Sequence, residues 1–368
     1  MIDGRDEVDA LWVAPASRLT LDRVDVVHGA TYGFRCETAG GDVLLTNCVF
    51  SFSGSQGDLQ GWNSSDAFQQ GGGNAILRGI SSASLRAVGC DFSGGSTKST
   101  VNCGNAQTFV MGFKDASFEG CTFLTNRVVS SGNAGNRAVA LSIVNSRASI
   151  VGCEFRGNHI GLGMSHCVSI YGTADGSVVR NCLFAGNVCN ARVDYNTASL
   201  VVYLNAAASK VLVENCTFLG NAHGAGATLA VPTGTVTVRN CIFAGNRDNG
   251  KMQTDVRAGG ATTVEYCLFE TNAAEVCSGG GLDLREQTLV VGDPRFRSPL
   301  VGSTGTSFAQ AMAIDAHVRR RSAAIDKGDP ASDWSNEPQP NGGRINMGAY
   351  GGTAEAACSP VGSVLIVR

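Results

Sequence analysis

The feature that most constrains this chain is a three-residue step, Cys-x-Phe, that recurs at the spacing of a supersecondary unit. It occurs at Cys48 and Phe50, Cys90 and Phe92, Cys121 and Phe123, Cys153 and Phe155, Cys182 and Phe184, Cys216 and Phe218, Cys241 and Phe243, and Cys267 and Phe269. Successive cysteines fall 25 to 42 residues apart, the size of a repeat and too short for a domain. An earlier unit around Leu19, Leu21, Val24 and Val26 fits the same frame with valines in place of Cys and Phe. Within a unit, Val211 and Val213 alternate inward, Asn215 interrupts, and Cys216 and Phe218 alternate inward again, which describes two short strands joined by a bend. The bend position holds Asn47, Gly89, Gly120, Gly152, Asn181, Asn215 and Asn240, and departs only at Tyr266. Asn and Gly tolerate a left-handed backbone at low cost, so the same bend is expected at every level.

Period-two alternation and the density of glycine exclude helical repeats. Propeller blades need roughly 40 to 45 residues for four strands, whereas here the period shrinks to 25 with the motif intact. A coil of three short strands fits. Stacked about 4.8 Å apart, such coils place Cys over Cys and Phe over Phe. The expected fold is therefore all-β, a single-stranded right-handed parallel β-helix of about ten or more coils. It would occupy residues 1–300, with an irregular capping segment over 301–358 and the start of a further element over 359–368. The chain reads as though it begins in mid-coil. The widest spacing holds an insertion from Gly61 to Asn74, and loops inserted in a solenoid tend to sit on one face.

Composition narrows the function classes. Charged residues make up 16%, against roughly 25% in an average soluble protein, and the net charge of −3 gives no basic field for nucleic acid. No run reaches the roughly 18 to 20 apolar residues of a membrane-spanning helix. Eight of the 14 cysteines belong to the repeated column, where a parallel stack keeps them beyond disulfide reach, and read as small buried apolar residues. Cys36, Cys103, Cys167, Cys189, Cys277 and Cys358 remain, among which the sequence selects no pair. Metal-ligand spacings are missing, and no cofactor is implied. The glycine runs at 71–73 and 279–281 lack the Lys-Ser/Thr of a phosphate loop.

With that grammar the chain resembles the right-handed β-helix repeat proteins, whose best-known members are polysaccharide lyases and hydrolases such as the pectate lyases, over about residues 15 to 300. The closing segment, with Gly292-Asp293-Pro294, Asp326-Lys327-Gly328-Asp329-Pro330 and Asn346-Met347-Gly348-Ala349-Tyr350-Gly351, is similar to the ending of secreted bacterial β-helix proteins, and there Asp326 and Asp329 read as turn formers. The resemblance implies an extracellular or cell-surface location and an ending that caps the open end of the solenoid. Six coils extend the motif to Phe-x-x-Asn, at Asn126, Asn158, Asn187, Asn221, Asn246 and Asn272, which is similar to the repeats of chlamydial polymorphic outer-membrane adhesins.

Enzymes of the lyase and hydrolase kind need carboxylates on one outward strand face. The expected outward residues of the first strands are instead Ser142, Ser169, Tyr171 and Tyr203. A weaker constellation is His166, Tyr171, Arg192, Asp194 and Tyr203, where a Tyr or His base and an Arg can serve metal-free β-elimination from a uronic acid. The favoured expectation is a carbohydrate- or matrix-associated binding protein without a catalytic site. Its partner would be a polysaccharide or surface glycan, met by aromatics such as Trp62 or Trp334. The alternative is a polysaccharide lyase or glycoside hydrolase acting on acidic polysaccharide.

Overall fold

The computed structural model describes residues 1–5, 10–13, 18–30, 32–37, 41–53, 73–99, 107–130, 137–161, 165–189, 197–224, 226–248, 251–303 and 305–360. Successive coils give strands to three long parallel sheets, and a fourth, of four strands, runs from Ser96–Ser99 to Val188–Cys189. The first sheet has ten strands, from Leu11–Val13 to Cys277–Ser278, and the second has ten, from Arg18–Asp22 to Leu282–Leu284. The third runs from Ile2–Asp3 to Val49–Ser51 and from Thr122–Leu124 to Val290–Val291, with Asp91 bridging the two parts. Register is kept in step: Phe123 lies opposite Phe155, and Phe184, Phe218, Phe243 and Phe269 follow in turn. This is a parallel β-helix.

The bend column is left-handed throughout, with φ between 47° and 62° at Asn47, Gly89, Gly120, Gly152, Asn181, Asn215, Asn240 and also Tyr266. Below it, all eight Cys-x-Phe cysteines and phenylalanines are buried. From Phe50 to Phe269 the rings stack at centroid separations of 4.7 to 5.2 Å. Each such contact contributes about 0.5–1.5 kcal/mol beyond the area it buries. The described cysteines are all unbridged, and of these only Cys358 is exposed. Burial pushes the thiols of Cys182, Cys216 and Cys241 well up, away from the thiolate that reacts or binds metal.

The Phe-x-x-Asn asparagines form a second interior column. Each amide nitrogen donates to the next amide oxygen at 3.0–3.1 Å from Asn126 through Asn158, Asn187 and Asn221 to Asn246. Each also donates to a Phe carbonyl one coil back, as Asn158 does to Phe123 at 2.8 Å. Buried amides are thus satisfied at every level. Where the coil of Phe92 offers Gly95, Asn74 fills the gap and donates to Asn126 at 3.0 Å. The far end stops on Asp255, which accepts from Asn246 at 3.0 Å. Asn272 leaves the column and caps the short helix Ala273–Val276.

The carboxy-terminal segment is irregular, as expected, but it lies along the side of the solenoid. Phe296, Ile314, Ala316, Ala324, Met347 and Ala349 pack on Leu183, Ala185, Leu219, Ile242, Ala244 and Leu268, the outward residues of the third sheet. Bend asparagines hold it: Asn181 Nδ2 donates to the carbonyls of Ala349 and Gly351 at 2.9 and 2.8 Å, and Asn215 Nδ2 to that of Asn346 at 2.9 Å. The reason is physical. From Leu183 onward this face is apolar and needs a cover.

Candidate functional site

The outward columns of the first sheet carry its chemistry. Register places Met111, Val144, Tyr171, Tyr203 and Thr233 in one column and Ile76, Phe109, Ser142, Ser169, Val201 and Ala230 in the next. Alternation fixes their direction, because their neighbours Val110, Ile143, Ile170 and Val202 belong to the interior. Tyr171 and Tyr203 are half-buried and stack at 5.0 Å with ring planes 14° apart. Beside them Ser169 Oγ and Ser142 Oγ are hydrogen-bonded at 3.0 Å. The result is a wall of ring edges tipped by two phenols, flanked by paired hydroxyls and packed against the buried Phe109 and Val144. At the amino end of this face Trp12, 65% exposed, pairs with Arg35 in the register.

The expected cluster is divided by the structure. Tyr171 and Tyr203 come together as read from the alternation. His166 is buried at 3% exposure, level with Ala138 and Ala198 in the register. Arg192, Asp194 and Trp62 lie outside the described residues, as do Cys103 and most of the Gly61–Asn74 insertion. Trp334 is half-buried in the carboxy-terminal segment, away from the first sheet. Burial pushes the Tyr171 phenol up from its ordinary value, which keeps it protonated and a poor base near neutral pH.

Two other groupings contain histidine. Inside the coils Ser199 Oγ lies 2.7 Å from His223 Nε2, within a network that includes Gln253, Thr228 and Asp255. Burial pushes His223 down to about 3, and both Ser199 and His223 are fully buried, so no substrate reaches this pair. At the seam between the third sheet and the carboxy-terminal segment a cleft of about 390 Å³ is lined by Glu154, Arg156, His317, Tyr350 and Glu355 among others. There His317 Nδ1 meets Asp315 Oδ1 at 2.6 Å, its Nε2 meets Glu355 Oε2 at 3.1 Å, and its ring lies on Tyr350 at 3.8 Å. Arg156 is bound to Glu154 and to the Ile314 carbonyl, both at 2.7 Å. Both imidazole nitrogens are occupied, which makes the cluster a fastening of the segment. Among the described residues no group of three or more His, Cys, Asp or Glu is placed to hold a metal ion, and no helix is long and apolar enough to cross a membrane.

Comparison with known proteins leaves the parallel β-helix as the identification: no protein-family profile, no curated protein and no solved structure matches the chain.

Proposed function

We propose that this chain is an extracellular or cell-surface β-helix that binds polysaccharide or surface glycan on the outer face of its first sheet and does not cleave it. The observation that carries the reading is the stacked pair Tyr171 and Tyr203 beside the Ser142–Ser169 hydroxyls. The half-buried ring edges suit the CH faces of sugars, and the phenols and the Ser142 hydroxyl suit their OH groups. Cleavage calls for a base or a pair of carboxylates on the same face. Among the described side chains of these columns there is no carboxylate, and the Tyr171 phenol is held protonated.

The test is titration calorimetry against acidic and neutral polysaccharides, paired with an assay for newly formed unsaturated ends. Wild-type protein binds without product, and Tyr171→Ala with Tyr203→Ala weakens binding about tenfold or more. Turnover that Tyr203→Phe abolishes would replace this reading with that of a polysaccharide lyase.

A further inference from the structure

Phe52 is the anomaly of the amino-terminal coils. It sits two residues beyond the Phe50 of its coil, at a second bend whose other occupants include Gly94, Thr125, Gly157, Gly186, Gly220 and Gly245, all at positive φ. A phenylalanine at φ 56° is strained, and this one is also 59% exposed. Its ring lies against the next coil: a Cβ added to Gly94 would come 2.6 Å from Phe52 Cδ1. His28 lies 5.8 Å away between centroids, its ring tilted by 31°. Neither exposure nor strain serves the core, yet a planar apolar surface is held rigidly toward solvent.

Along the same face lies Asp91, bridged to Val49 and Thr122. Ser93 Oγ and Thr122 Oγ1 (2.9 Å) donate to its Oδ1, whereas among the described residues Oδ2 meets only Ser51 Oγ at 3.4 Å. These bonds fix the carboxylate and leave one oxygen with acceptor capacity. No Lys or Arg pairs with Asp91 among the described residues. Three residue steps along the chain take it to the Gly94 beneath the ring, roughly 10 Å at most, a span of about two pyranose units.

We infer that Phe52 and Asp91 form a second saccharide site, on the third face, in which one sugar stacks its CH face on Phe52 and its neighbour donates hydroxyls to Asp91 Oδ2. The ligand class is a neutral pyranose oligosaccharide, because a uronic carboxylate would meet Asp91 with like charge. This site stands on a different sheet from the tyrosine pair and goes beyond the function proposed above.

The experiment uses the full chain carrying Tyr171→Ala and Tyr203→Ala, titrated with cello-, manno- and xylo-hexaose and with a uronic hexamer. Residual binding of a neutral hexamer, lost about tenfold or more on Phe52→Gly and several-fold on Asp91→Asn, is the expected result. Glycine relieves the left-handed strain, so thermal stability stays equal or rises and misfolding is excluded as the cause. Absence of binding by every neutral hexamer, or residual binding unmoved by Phe52→Gly, overturns the site. Should the tyrosine substitutions change nothing while Phe52→Gly abolishes binding, the first-face reading fails and this one stands.

Discussion

The third sheet has two halves that share a backbone and differ in what they present. In the carboxy-terminal half, the residue between Cys and Phe is Leu183, Thr217, Ile242 or Leu268, and the following segment lies over it. In the amino-terminal half it is Val49, Asp91 or Thr122, and the described part of that segment does not reach it. The second bend tells the same story. Thr125 is accommodated in the open half, whereas Gly186 and Gly245 have Ala311 Cβ and the Leu300 carbonyl at 2.7 and 2.3 Å from where a Cβ would stand. The inward positions repeat because the core must, and the outward positions record what each face meets.

Breaking the cover should have the largest effect. Ile242→Asp places an unpaired charge under the segment and is expected to lower unfolding free energy by about 4 kcal/mol. Val49→Asp in the open half leaves its charge in contact with water and, with Asp91 as a like-charged neighbour, should cost about 1–2 kcal/mol. Urea denaturation of the two variants checks the contrast, and equal losses would erase it. Gly245→Ala comes next. A left-handed φ of 64° and contact with Leu300 together should cost about 2–3 kcal/mol, with faster hydrogen exchange in residues 296–303. Its counterpart Thr125→Gly relieves a left-handed threonine at φ 55° and should gain about 1 kcal/mol.

The third effect depends on pH. Burial raises the Asp255 carboxyl from 3.8 to about 7. The folded state therefore holds the proton more tightly than the unfolded state. The contribution of this group to stability is full below pH 3.8 and is lost as pH rises to about 7. Relative to Asp255→Asn, the wild type should lose on the order of 4 kcal/mol across that window. Parallel pH profiles for the two proteins would show that Asp255 is not the proton-linked end of the asparagine column.

Much of this was legible in the sequence. Cys-x-Phe and the Asn/Gly bend gave the coil because both follow from local alternation and backbone cost, and alternation turned Tyr171 and Tyr203 outward together. The position of the carboxy-terminal segment was written in the middle residue of each Cys-x-Phe step, where Asp91, Thr122 and Glu154 give way to Leu183. Reading the motif for its inward residues alone passes over that change. His223 and Asp255 were not legible because an inward polar residue violates the alternation by which inward positions are recognised. Trp12 precedes the first Cys-x-Phe step, so no repeat frames it, and the second partner of His317, Glu355, is brought back across 38 residues.

Hydroxyl-radical footprinting of the full chain, with and without a bound polysaccharide, tests the central claim most directly, because it reads aromatic side chains one at a time. The account predicts that saccharide protects Tyr171 and Tyr203 from oxidation and leaves Tyr350 at the seam unchanged. Protection of Tyr350 and His317 with no change at Tyr171 and Tyr203 would contradict it and move the binding site to the cleft beneath the carboxy-terminal segment.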